Sequence, residues 1–357
     1  MAADDYPFAR GPFPVSVRTI EAHDATRNRS FPVEIWFPAA ARYAGRDLAP
    51  ETQDSFRAGA NQTLRRQSAV RDAAAAPERF PLIVFSHHSG GGRRAATFLH
   101  THLASYGYVV AAMDHSELIA PELAFKLGDS KEQAAARIDG MISSRVPDIR
   151  FLIDHLLDHA SGFGLTLDSD RIGIIGHSFG GWTALATPEV EPRIRAVVAL
   201  APAGATRRKP GILPVHLTFD WGRDVPTLYL VAEDDAPLPL DGMYELFERM
   251  LSPKRMVILR RADHLHFVDD VEAQHEAIRT TPMAGDLAWL ARDMRPIAEL
   301  CSAAQAHLFV RSLALCHMDY ALKGDERATR ILSGDVAADF GALGVECMVA
   351  KEVEPQH

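Results

Sequence analysis

The feature that most constrains this chain is a recurrence. Short runs rich in β-branched residues, "PLIVFSH", "GYVVAAMDH", "RIGIIGHS", "RIRAVVALAP", "PTLYLVAE" and "KRMVILRRADH", are separated by stretches of helical character. Such alternation predicts an α/β fold, a mostly parallel twisted sheet with helices on both faces. The continuous apolar cores of these runs, such as "LIVF" and "IGII", suit strands buried on both sides. Two earlier runs, "VSVRTI" and "FPVEIWFP", have no helix between them, which predicts an antiparallel N-terminal edge. Helical spacing is clearest over Ala134–His159, where Ile138, Ile142, Val146, Ile149, Ile153 and Leu156 or Leu157 recur at steps of three and four. Pro147 interrupts that pattern and predicts a kink or a break. An Ala/Leu-rich stretch, 287–321, is expected as a long closing helix.

Ligands of open α/β sheets bind beyond the carboxyl ends of the strands, so the residues after each run matter most. Here they are "SHHSGGGRR", "DHS", "HSFGG", "EDD" and "DHLHF", all polar or glycine-rich. The chain has 357 residues, of which 47% are apolar and 24% charged. One large domain over 1–357 is expected, with insertions at 39–80, 203–225 and 268–290. The first has little periodicity beyond a short helix, and the other two are read as lids. A formal charge of −9 leaves no basic surface for nucleic acid, so Arg207, Arg208 and Lys209 are read as solvated loop charges. No stretch has the ~18 uninterrupted apolar residues of a membrane span, and the opening lacks a signal-like core. Cys301, Cys316 and Cys347 are odd in number and widely spaced, which suggests neither a disulfide framework nor a zinc knuckle. A cytoplasmic location is expected. An apolar face on 287–321 would serve equally as a homodimer face or as a buried closing helix.

The stretch "RIGIIGHSFGGW" ends a buried strand in Gly176-x-Ser178-x-Gly180. By composition this pattern arises about once in ten chains of such length, so its context decides. An apolar strand before it and "WTALAT" after it supply the strand, sharp turn and helix of a nucleophile elbow. A serine hydroxyl is a poor nucleophile until a base takes its proton and donors hold the oxyanion that forms. For the donors, "LIVFSHHSGGGRR" supplies a strand ending in a Gly-rich turn. Its Ser89 N–H and the N–H of Phe179, the residue after the nucleophile, are the candidate oxyanion hole. For the acid, Asp234 and Asp235 both follow the strand "PTLYLVAE". For the base, His264 and His266 alternate, so in extended backbone only one faces the serine, and His264 is taken. Phe179, Trp182 and Trp221 are candidates to line an apolar substrate pocket or to serve as core. The pairs His87, His88 and His264, His266 lack a zinc-protease motif, so no metal is expected, and no organic cofactor.

The order Ser178, acid, His264 is that of α/β-hydrolases. Together with "GPFPVSVRTI", "SSRVPDIRFLIDHLLD" and "AEDDAPLP", these residues show that the chain, from about Gly11 to Phe267, resembles serine esterases of the platelet-activating-factor acetylhydrolase and dienelactone-hydrolase-like group. That resemblance implies Asp235 as the acid, because it fits the group's Asp-x-x-x-Pro-like turn and Asp234 lies one residue short. It also implies His264 as the base, three residues before Phe267. Serine where dienelactone hydrolases use cysteine implies ordinary carboxylic esters, with short acyl groups, as substrates. The expectation is a hydrolase working through an acyl-enzyme on a small-molecule ester. An amide, thioester or C–C bond hydrolase on the same triad, or a ligand-binding protein with little turnover, are the alternatives.

Overall fold

The computed structural model describes residues 6–58, 62–124, 126, 128–283 and 285–350. Both ends of the 1–357 assignment, and residues 59–61 and 284 of two expected insertions, lie outside the described residues. The chain forms two compact units, 1–85 with 90–173, and 86–89 with 174–357.

In the first unit, β1 (Val15–Asp24) and β2 (Arg29–Pro38) pair antiparallel over their full length. The hairpin was expected, but its strands run further into "EAHDATRNRS" than the apolar runs suggest. Asp24 Oδ1 accepts from the Thr26 and Arg27 amides and closes the turn. Where only a short helix was expected in 39–80, β3 (Ser55–Ala58) pairs antiparallel with β4 (Thr63–Arg66), and β5 (Val70–Arg71) lies parallel to β1. These strands are short and mostly exposed, so they need no hydrophobic alternation, and partner strands decide their conformation. The strand β6 (Arg79–Ser86), helix α1 (Thr97–Ser105) and strand β7 (Val109–Met113) form a parallel βαβ unit, and β2 pairs antiparallel with β7.

A short α2 (Ser116–Ile119) precedes α3 (Lys131–His159). This helix starts after the capping box of Ser130 and Gln133, its first residue three before the expected start at Ala134. It contains Pro147 and is one continuous helix, so of the two expected outcomes, a kink or a break, the break does not occur. Met141, Ile149, Leu152, Ile153 and Leu156 are buried along it, a burial that outweighs the lost backbone hydrogen bond. Strand β8 (Thr166–His177) leads from the first unit into the second.

The second unit orders the end of β8, then β9 (Ile194–Leu200), β10 (Thr227–Ala232), β11 (Lys254–Leu259) and β12 (Cys347–Val349). The pairs β9–β10 and β10–β11 are parallel, and β12, which the sequence did not suggest, is antiparallel to β11. Helices α4 (Phe179–Ala186) and α5 (Leu240–Arg249) follow β8 and β10. After β11 come α6 (Val271–Thr280), α7 (Leu290–Asp293), α8 (Ala303–Met318), α9 (Glu326–Ser333) and α10 (Val336–Gly341). The single helix expected over 287–321 is therefore divided. Pro296 and the capping box of Ser302 with Gln305 restart it at α8, whose Phe309, Val310 and Leu313–Met318 are buried. No described helix is long and apolar enough to cross a membrane.

Candidate active site

Ser178 follows the last residue of β8 and precedes the first of α4, with φ 58° and ψ −116°. This is a strained conformation for a residue with a side chain. The surrounding backbone over-determines it. The Ser178 amide donates to the Leu200 carbonyl, and its carbonyl accepts from the Trp182 and Ala203 amides. The flanking glycines are required by close approach: a Cβ on Gly176 would lie 2.0 Å from the Gly180 carbonyl oxygen, and one on Gly180 would lie 2.0 Å from that of Ser86. The second contact sets the turn after β6 directly against the start of α4. Ser89, three residues after Ser86, is exposed, and its amide makes no hydrogen bond among the described residues. Phe179, buried, stacks on Trp182 with ring centroids 5.5 Å apart.

Asp235 and His264 meet. His264 Nδ1 lies 2.8 Å from Asp235 Oδ2, and Asp235 Oδ1 accepts from the Leu238 amide at 2.7 Å. The carboxylate is buried, and the imidazole retains 12% of its exposure. Donation from Nδ1 leaves Nε2 as the proton acceptor. Burial lowers the His264 pKa most, but the charge and hydrogen bond of Asp235, with the charge of Asp263, outweigh it and leave the pKa above the ordinary histidine value. The other candidates are engaged elsewhere. Asp234 pairs with Arg295 at 3.1 Å. His266 is fully buried, accepts from the Asp263 amide at Nδ1, and meets the Cys301 carbonyl through Nε2 at 3.0 Å. Burial pushes its pKa down to about 4. The backbone of 264–267 is a 3-10 turn rather than the extended chain assumed for the alternation, and the two rings nevertheless part ways.

Ser178 Oγ makes no hydrogen bond among the described residues. The link to the histidine runs through the neighbouring residue instead. His177 Nε2 lies 3.0 Å from the His264 carbonyl, and the two rings are 4.8 Å apart. His177 is buried, and its pKa is held well below the ordinary value by that burial, then by the charges of His264 and His88. It therefore stays neutral and donates from Nε2, tying the His264 turn to the elbow.

Two residues that sequence reasoning missed lie behind the pair. Asp263 is fully buried, and its carboxyl is pushed up to about 7 by burial first and by the Asp235 charge second. His275, on α6, is also buried, with Nδ1 3.9 Å from Asp263 Oδ1. The adjacency of Asp263 to the candidate base was the available signal, but burial of a carboxyl is not legible in a lone Asp-His pair. Trp182 and Trp221 are both buried, their indole N–H groups donating to the His216 and Leu185 carbonyls. All that either can offer a ligand is an apolar ring face. Among the described residues no group of three or more His, Cys, Asp or Glu side chains could hold a metal ion.

A serine on a strained turn, an imidazole oriented by a buried carboxylate, and the backbone of Ser86 and His87 against the helix start are parts that acyl transfer can use. Residues 7–145 match the family of platelet-activating factor acetylhydrolase, isoform II, a span that ends before Ser178. Platelet-activating factor acetylhydrolase of Cavia porcellus is 25% identical over 228 residues, covering 54% of this chain and 49% of that protein. Cutinase est1 of Thermobifida alba is 26% identical over 181 residues, covering 49% of this chain and 50% of that protein. The chain thus spans about half the length of these curated relatives. The structure of ferulic acid esterase from Streptomyces cinnamoneus superposes with a TM-score of 0.65 at 24% identity, covering 96% of this chain and 98% of that one. That likeness establishes the α/β-hydrolase fold. The expected resemblance to this esterase group is borne out by the family match and the curated relatives.

Proposed function

We propose that this chain is a serine carboxylic ester hydrolase that acts through an acyl-enzyme on small or short-acyl esters. The observation that carries this is the pairing of His264 Nδ1 with the buried Asp235 carboxylate, beside a serine at φ 58° between β8 and α4. In the proposed cycle Ser178 Oγ attacks the ester carbonyl carbon as His264 Nε2 takes its proton. The amides of Ser89 and Phe179 hold the oxyanion, and Asp235 stabilises the imidazolium. Collapse expels the alcohol, which receives the proton from His264. Water, activated by the same ring, then attacks the acyl-enzyme and releases the acid.

The names of the relatives, an acetylhydrolase, a cutinase and a ferulic acid esterase, support an ester carbonyl as the electrophile. Trp182, stacked on Phe179, is proposed as an apolar wall for the substrate, with Trp221 backing the loop that faces it. The segments 203–225 and 268–290 are proposed to border the entrance of one hydrolase domain, and a cytoplasmic location fits three buried cysteines.

The test is hydrolysis of p-nitrophenyl esters from acetate to octanoate. Wild-type activity with a short-chain optimum, lost in Ser178→Ala and His264→Ala and kept in His266→Ala, is the expected result. Activity that survives Ser178→Ala, or no turnover of any ester, would overturn the proposal.

A further inference from the structure

Beyond β9 and β10 the chain forms an open cavity of about 240 Å3. Its two sides each adjoin a residue hydrogen-bonded to the candidate site. On one side are Pro237 and Leu238, from the turn whose Leu238 amide bonds Asp235. On the other is Gly204, next to the Ala203 whose amide bonds the Ser178 carbonyl. Gly204 approaches Trp182 so closely that a Cβ there would lie 3.4 Å from the indole Cδ1. Ile212, Leu213 and Met243 add to an apolar lining.

The rim is basic. Arg207, Arg208 and Lys209 border the cavity. Lys209 is already balanced, 3.3 Å from Asp293 Oδ2 and over the Trp289 ring at 4.4 Å. Arg207 and Arg208 have no ion pair or hydrogen bond among the described residues. The lining's carboxylate, Asp241, accepts from the Gly242 amide at the start of α5. One carboxylate against two guanidinium groups leaves an uncompensated positive charge above an apolar floor. A chain whose formal charge is −9 repels anions at long range, so an anion drawn to this point is drawn by these two residues. The volume is below that of pockets that hold a whole drug-sized ligand, which makes it a place for part of a substrate.

We infer that this cavity is a subsite for an ester substrate bearing a carboxylate at the end of a short apolar segment, with Arg207 and Arg208 receiving the carboxylate. The inference rests on the esterase reading above for its catalytic half. Guanidinium suits this task because its planar fork can meet both carboxylate oxygens.

The test compares two matched ester pairs. One is p-nitrophenyl hexanoate against mono-p-nitrophenyl adipate, with the carboxylate on the acyl side. The other is the acetate of methyl 4-(4-hydroxyphenyl)butanoate against that of the free acid, with the carboxylate on the alcohol side. The expected result is a preference of about tenfold in kcat/KM for the carboxylate member of one pair, carried mainly by KM. The preference should fall to near one in Arg207→Gln/Arg208→Gln and shrink at high salt. A ratio near one for both pairs in the wild type, or a preference intact in the double variant, would overturn the subsite while leaving the esterase standing. Calorimetry in a Ser178→Ala background, with monomethyl adipate as ligand, decides the subsite even if no ester is turned over. Binding that weakens about tenfold in the double arginine variant supports it, whereas absent or unchanged binding overturns it.

Discussion

At the scale of single residues, the candidate base lies between two buried carboxyls with different tasks. Asp235 accepts the Nδ1 proton of His264, so Asp235→Asn should lower kcat/KM by about 10³ to 10⁴ through loss of the correct tautomer. Asp263 acts on His264 through its charge. Because that charge and Asp235 together raise the His264 pKa, the acid limb of a kcat/KM profile should lie above the ordinary histidine value. In Asp263→Asn the limb should shift to lower pH while substantial activity remains, and an unmoved limb would refute the coupling. Asp263 also carries a stability prediction. Its folded pKa of about 7 exceeds the unfolded carboxyl value, so the fold loses stability as pH rises from about 4 toward 7. Asp263→Asn should therefore raise the urea midpoint at pH 8 more than at pH 5. The residue pattern showed Ser178 and its flanking glycines plainly. It could not show which of Asp234 and Asp235 turns inward, since an ion pair with Arg295, 61 residues away, holds Asp234 on the outside.

At the scale of elements, the elbow and the helix caps bear most on the site. The Cβ of Gly176→Ala or Gly180→Ala would fall 2.0 Å from a backbone oxygen that cannot move without opening the elbow. Each substitution should cost about 3 kcal/mol or more, read as a lower urea midpoint or as failure to accumulate folded protein. Ser302, whose side chain caps α8, is a milder case: Ser302→Ala should cost about 1 kcal/mol with esterase activity unchanged. The central strands and the N-terminal hairpin were legible because apolar runs and alternation are local properties. The division of 287–321 was partly legible, since Pro296 and Ser302-x-x-Gln305 are ordinary stop and start signals. Strands β3, β4, β5 and β12 were not, because short exposed segments take their conformation from the strand beside them.

At the scale of the whole molecule, many buried histidines set the response to acid. Burial pushes His100 down to about 3, and His266 and His317 down to about 4, so all three stay neutral in the fold through mild acid. The unfolded chain takes up protons near the ordinary histidine value, so stability is full above about pH 6.5 and is lost as pH falls toward 4. Each such histidine contributes up to about 1.4 kcal/mol per pH unit across that window. His264 and Asp263, with raised folded pKa values, have the opposite slope and offset part of the loss. Urea midpoints should accordingly fall from pH 7 to pH 5, and His100→Gln should flatten the decline. By itself the sequence determined the α/β class, the elbow around Ser178, the chain order of the candidate nucleophile, acid and base, and the resemblance to serine esterases, because each is written in local pattern or spacing. Only the tertiary structure decided which acid meets His264, that His266 faces away, that His177 bridges the base to the elbow, and that Asp263 lies buried behind it. Those outcomes depend on burial and on partners distant in the chain, and a side chain's solvation and electrostatic neighbours exist only once the chain has folded.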